Sequence, residues 1–571
     1  MSNATCTNLF GLTQYDGQCQ FFGSGDTALP EGLGWFILVG LGGVFALIPT
    51  ALIYLDRRIN GGGKDSESFA TAGHTIGMGL TACDIVAKWT WAATLLQSSN
   101  VAYSFGVSGP FWYAAGATVQ VLLFAILAVE IKRKAPTIHT FLEIIRCRWG
   151  NVAHIIFMVY GFMTNLIVTA MLILGGAAVM EALTGVSVYA SSFLIPAGVV
   201  IYTCVGGMKG TMVAEWLNVY ATNPDLGSIS KVWQRLSAIA ETKPVVDNMG
   251  GSYMTMFSKS GIIFGIINII GNFGTVFVDQ SYWQGAIAAK PSATYKGYLL
   301  GGLCWFAIPF TMATTMGLGA RALDLPITKA EASAGLVPPA LAVHLMGQGG
   351  AFLITFQLFI AVTSTACAEQ MAVSTIVVYD IYKAYINKNA SSRSMLILQR
   401  VMVLVYAIIS GVVSVILLKL NVSLGWVYLF MGIVIGSAVF PIAACLTWAK
   451  CSAVAACTSA IVTTPLAIMT WLITAAKLND GVINLDTTGQ DYPMLAGNLV
   501  FSEGYFTMWV VIAMIWGIVA STVCIVLPVF EARHMILMVL SGKKHIPSTV
   551  EESVQAKNEH MSLPPVQPNR A

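Results

Sequence analysis

HTIGMGLTACDIVAKWTWAATLLQSSNV, residues 74–101, is the stretch on which the fold turns. It is longer than the roughly 20 residues a helix needs to cross a bilayer. Its charged side chains are Asp84 and Lys88. These stand four residues apart, on one face of a helix, so they can form an ion pair. An unpaired charge there would cost several kcal/mol, whereas a pair is tolerated. Trp89 and Trp91 follow at mid-span, flanked by small residues. Tryptophan in membrane proteins is most common at the two interfaces. A mid-span pair therefore reads as the wall of a binding slot, with plain core packing as the alternative.

Comparable apolar runs recur along the chain. Candidate spans lie near 34–55, 74–101, 108–131, 151–183, 187–208, 259–288, 297–320, 349–382, 396–418, 424–448, 452–476 and 506–530, twelve in all. Long hydrophilic connections are expected at 219–257, 321–348 and 477–505, and a polar, disordered tail at 531–571. Composition agrees: 56% of the residues are hydrophobic and 10% charged, against about 25% charged in soluble domains. The fold class is all-α, polytopic, in membrane lipid.

Charge orients the spans. Arg57, Arg58 and Lys64 follow the first span, and Lys132, Arg133, Lys134, Arg146 and Arg148 follow the third. Both loops read as cytoplasmic, which places the N-terminus outside. Lys209, Lys290, Lys296, Lys383, Lys388, Arg393 and Lys450 fit the cytoplasmic side, as do Arg533, Lys543 and Lys544. That assignment puts the C-terminus inside. It also requires a further crossing between Lys209 and residue 258. The candidate there, Gly210 to Val219, is about half the needed length and contains Glu215. The charges call for thirteen crossings where the sequence supplies twelve.

Other classes are disfavoured. The eleven cysteines form no CxxC pair and no His/Cys cluster, so no structural metal centre is expected. Cys6 and Cys19 can pair or stay free, and Asn3-Ala4-Thr5 is a glycosylation acceptor by pattern. No cleavable signal is evident in the first 30 residues. The net charge of +3 comes with no basic, aromatic-interleaved stripe, so no nucleic-acid partner is expected. No nucleophile–base pair marks an enzyme, and no cofactor is expected.

WTWAATLLQSSNVAYSFGVSGPFWY at 89–113 and IKRKAPTIHTFLEI after it resemble the active urea transporters of fungi and plants, within the sodium/solute symporter family. NIIGNFGTVFVDQSYW at 268–283 and AVSTIVVYDIY at 372–382 resemble the same group. The resemblance runs from about residue 30 to 530. VGGMKG and VYATNPDLGS nearly abut here, whereas in that family a helix separates them. The resemblance implies a LeuT-type core of two inverted five-helix repeats, with substrate and ion held at two broken helices. Residues 74–448 would form that core, with 74–101 its first helix, 259–288 its sixth, and the fifth truncated near 209–219. Residues 1–33 would be an extracellular segment, 34–55 an extra N-terminal helix, and 452–530 two extra C-terminal helices.

The function so implied is urea import across the plasma membrane by cation symport, with H+ (or Na+) as the coupling ion. Alternatives are a polyamine or other small amide as substrate, or a transport-defective variant or sensor. The substrate-site candidates are Trp89, Tyr113, Asn268, Asp279, Tyr428 and Ser437. Asn268 and Asp279, eleven residues apart, share a helical face, and the intervening Gly271-Asn272-Phe273-Gly274 is the expected point of unwinding. Asp279 is an acid within an apolar span, a costly placement that is usually functional. The resemblance implies a cation site of Ser374 and Thr375 with backbone carbonyls near Val86 and Trp89. The plainer reading of the two hydroxyls is a bond to their own helix. Lys88 departs from the small or neutral residues of the urea transporters. Asp84 and Lys88 are then a structural pair, or the amine replaces the ion. Thr140 and Tyr379 are gate candidates.

Overall fold

The computed structural model describes residues 27–43, 70–203, 228–449 and 451–499, with short pieces at 14–15, 18–19 and 21–22 and single residues at 58 and 226. Contacts divide the chain into a unit from Met1 to Phe506 and a second from Thr507 to Ala571. The described residues all belong to the first. The expected glycosylation acceptor, the Cys6 partner, the span at 506–530, the tail and the truncated crossing near 209–219 lie outside the described residues.

Among the described residues, the regular structure of the first unit is helical apart from a hairpin of two-residue strands, Gln14–Tyr15 with Gln18–Cys19. Among the described residues, eight helices are long and apolar enough to cross a membrane. In chain order the main helices are α1 (Glu31–Leu41), α2 (Met78–Trp89), α3 (Ala92–Phe105), α4 (Ser108–Lys134) and α5 (Phe141–Thr184). Then come α6 (Val188–Thr203), α7 (Ile229–Thr242), α8 (Lys259–Phe277), α9 (Gln280–Ala288) and α10 (Pro291–Ala322). The series closes with α11 (Val337–Ile386), α12 (Ser392–Lys419), α13 (Leu424–Thr447), α14 (Ala453–Leu478) and α15 (Asp491–Leu499).

Two helix groups make the core. α2 and α3, with α4, α8 and α10, pack on one another; α5, α6, α11 and α12 form the second group. α13 lies against both α8 and α5, and α14 and α15 cover it. The three hydrophilic connections are more ordered than their composition suggests. They contain α7, the start of α11 and α15, because each has enough apolar residues to dock. Leu236 and Val232 of α7, for example, are buried against Ala322 and Tyr253.

Both expected broken helices are present, but one breaks elsewhere than expected. The first core span parts at Thr90, which leaves the helical conformation, and at Trp91, whose backbone is extended, so α2 and α3 are its halves. The sixth parts at Val278 and Asp279, between α8 and α9, and not at Gly271–Gly274. The two glycines have another use. A Cβ on Gly274 would lie 2.6 Å from Ile435, and one on Gly271 3.0 Å from Met431. They let α8 approach α13 closely while the helix continues through them. The break falls where Asp279 caps α9, its carboxylate accepting the Ser281 N–H at 2.7 Å, as acids do at helix N-termini.

Candidate functional site

Beside the first break, aromatic rings and amides meet inside the core. Tyr113 of α4, Phe264 of α8 and Tyr428 of α13 are near-parallel, 5.6–6.4 Å apart with interplanar angles of 15–18°. Trp91 leans on Tyr428 at 6.3 Å, and Trp89 stacks on Trp91 at 5.7 Å. Trp89 is 1% exposed, and its indole donates to the Ala117 carbonyl at 2.6 Å. Amides edge the rings. Asn268 Nδ2 donates to the Trp112 and Tyr113 carbonyls, and Tyr428 donates to Asn268 Oδ1 at 2.5 Å. Asn272 Nδ2 reaches Asn268 Oδ1 at 2.7 Å and the Tyr428 hydroxyl at 3.2 Å. The Tyr113 hydroxyl is buried and makes no hydrogen bond among the described residues; Thr94 and Tyr428 are its polar neighbours.

Trp89, Tyr113, Asn268 and Tyr428 therefore converge, as expected. Ser437 and Asp279 do not join them. Ser437 sits in a short turn, Gly436–Ala438, and bonds Thr464 of α14 at 2.7 Å. Asp279 lies beyond the break, so the helical face it was expected to share with Asn268 does not extend to it. Its Oδ1 accepts from Asn165 Nδ2 at 2.9 Å, and the same nitrogen donates to Glu369 at 2.6 Å.

The expected cation ligands are dispersed. Ser374 and Thr375 both donate to the Met371 carbonyl of their own helix, and Thr375 accepts from Gln284. The side chain facing the first break is Thr365, nine residues and about 13 Å earlier along α11. Its hydroxyl lies 3.3 Å from the Ala87 carbonyl and 3.5 Å from that of Thr90. The two expected carbonyls are already bonded. Val86 accepts the Thr90 N–H and hydroxyl, at 3.0 and 2.6 Å. Trp89 accepts the Thr94 hydroxyl and the Trp305 indole, both at 2.8 Å.

Asp84 and Lys88 form the expected pair at 2.7 Å, and the amine also donates to the Ser281 carbonyl at 3.1 Å. Gly285 makes room for them: a Cβ there would lie 2.7 Å from Asp84 and 3.2 Å from Lys88. Thr140 caps α5 and donates to Asp380 at 3.0 Å. His154 Nε2 donates to the same carboxylate oxygen at 2.9 Å. Tyr379 stacks on His139 at 3.9 Å. The two gate candidates thus belong to one cluster joining α5 to the end of α11.

Phe264, Asn165, Thr365, Glu369, His154 and Asp380 are not among the residues expected from the sequence. Glu369 carried the same signal that singled out Asp279, an acid inside an apolar span.

Residues 69–463 match the Sodium:solute symporter family. The chain belongs to this family. It is 45% identical to a urea-proton symporter of Oryza sativa subsp. japonica, with 93% of this chain and 90% of the rice protein covered. It is 42% identical to the urea active transporter of Saccharomyces cerevisiae, with 83% and 67% covered. To a probable urea active transporter of Schizosaccharomyces pombe it is also 42% identical, with 83% and 74% covered. A solved structure of a Na+-coupled sialic acid symporter superposes with a TM-score of 0.58 at 14% identity, covering 82% of this chain and 98% of that one. The fold of this symporter-family chain is of the LeuT type, a multi-pass membrane architecture with two broken core helices.

Proposed function

We propose that this chain imports urea by cation symport, with the proton as coupling ion. The observation that carries the reading is the set of near-parallel rings Tyr113, Phe264 and Tyr428 edged by Asn268 and Asn272. Urea is flat and neutral, with four N–H bonds to donate and one oxygen to accept. Parallel aromatic faces fit its plane, and the Asn oxygens and Tyr hydroxyls supply acceptors and donors. A dry site of this kind rejects analogues that leave those groups unpaired. The length of the match to the rice urea-proton symporter supports both the substrate and the ion. In this reading the protein lies in the plasma membrane with its N-terminus outside and its C-terminus cytoplasmic. Residues 74–448 are the transport core, Trp89, Tyr113, Asn268 and Tyr428 surround urea, and Thr140 and Tyr379 belong to the inner gate.

The test is uptake of labelled urea by yeast lacking its own urea transporter. Accumulation that a protonophore abolishes, that survives replacement of sodium, and that methylurea suppresses more than a polyamine is the expected result. Equal suppression by a polyamine would change the substrate assignment. A transport-defective form is the second reading. It is favoured by the charge pattern near 209–219 and by the rice alignment, which at 647 residues exceeds this chain's 571 and so includes segments absent here. Surface expression with no uptake above the empty vector would establish it.

A further inference from the structure

Asp279 and Glu369 are each 1% exposed, and Asn165 between them is fully buried. One amide nitrogen donates to a carboxylate oxygen of each, at 2.9 and 2.6 Å, which holds the two acids side by side. Three polar atoms of this cluster are buried without a hydrogen bond among the described residues: Asp279 Oδ2, Asn165 Oδ1 and Ser281 Oγ. Two of them are pure acceptors and the third is a hydroxyl with one hydrogen to donate, so at least one acceptor is left over for an added proton. Two carboxylates sharing one donor in a dry site repel each other, and a single proton between them removes the repulsion. The other titratable groups near the pair are Tyr282 of α9 and Tyr406 of α12. The nearby cation is Lys88 of α2, whose amine is held by Asp84 and by the Ser281 carbonyl.

The cluster also bridges the two helix groups. Asp279 stands at the break between α8 and α9, in the group with α2, α4 and α10. Asn165 and Glu369 stand on α5 and α11, in the other. Alternating access in folds of this kind moves one such group against the other.

We propose that Asp279 and Glu369, joined by Asn165, are the site that binds and releases the driving proton. The proton arrives from water on one side and forms an O–H bond at a carboxylate oxygen. The acid then donates to its partner and draws the two helix groups together across the Asn165 bridge. On the other side that O–H bond breaks, the proton returns to water, and the repelling carboxylates loosen the contact. This rests on the proposed cation-coupled transport, and it adds the residues that carry the ion.

The test uses the full chain, purified and reconstituted, with Glu369→Gln and Asp279→Asn. Infrared difference spectra, taken between acidic and neutral pH in H2O and D2O, read protonated carboxyl groups without any transport. The expected result is a deuterium-sensitive carboxylic acid band in the unaltered protein that both variants lose. In transport assays Glu369→Gln should lower pH-driven urea accumulation at least about tenfold while urea counterflow persists. A band retained in both variants, or accumulation by Glu369→Gln with its pH dependence intact, would overturn the proposal. So would uptake that follows sodium at constant pH and loses that dependence in Glu369→Gln. A band that behaves as expected in a protein with no urea flux would refute the urea reading and leave the proton site standing.

Discussion

Tyr428 holds Asn268 by a single hydroxyl while its ring stacks on Tyr113 and Phe264. Tyr428→Phe keeps the ring and removes the bond, which is worth about 1 kcal/mol. If the slot binds urea, the KM for uptake should rise roughly fivefold, with the thermal midpoint of the purified protein nearly unchanged. An unchanged KM in a concentration series would take Asn268 out of the substrate contacts. Lys88 illustrates how far residue-level reading went. The i,i+4 spacing alone gave its pairing with Asp84, because helix geometry is local. Its second bond, to the Ser281 carbonyl, joins residues far apart in sequence and could not be read from spacing. Engaged at both partners, the amine acts as a strut between α2 and α9. The same limit applies to the cation ligands. Hydroxyls are common on α11, and only the folded chain shows that Thr365 lies against the Ala87 and Thr90 carbonyls while Ser374 and Thr375 bond the Met371 carbonyl.

At the scale of elements, the apolar spans were legible because membrane helices are set by length and hydropathy, which are sums over many residues. The position of a break was not. Two glycines around an asparagine fit unwinding and close packing equally well, and the choice depends on α13, more than 150 residues away in the chain. Packing makes a clear prediction. Gly274→Val should drive α8 off α13 and cost about 1–3 kcal/mol, the usual penalty for overfilling a close contact. Thermal unfolding in detergent measures it, and Ile435→Ala, which clears the space the new side chain needs, should recover part of the loss. No recovery in the double variant would mean that the strain lies elsewhere. The aromatic slot was partly legible for a related reason: large rings in mid-span are rare enough to stand out, whereas Phe264 was one apolar residue among many.

At the scale of the molecule, the described residues join the two helix groups by polar bonds at several points. Gln280 of α9 is one such link: it donates to the His139 carbonyl and accepts the Phe141 N–H at the start of α5. Gln280→Leu would leave both backbone groups without that partner, a cost of about 1–3 kcal/mol. Amide hydrogen exchange in α9 should then speed up roughly tenfold or more, with the mid-section of α5 unchanged. Equal exchange in both proteins would show that the groups are latched elsewhere, for instance through Thr365 of α11 and the Ala87 and Thr90 carbonyls.

The first break, by contrast, has its loose ends tied. Its Val86 and Trp89 carbonyls are taken by Thr90, Thr94 and Trp305, and the Trp89 indole is pinned to Ala117. Such a kink is a cranked shaft and not a hinge. Any motion that leaves these bonds intact must carry α2, α3, α4 and α10 together, as one solid piece.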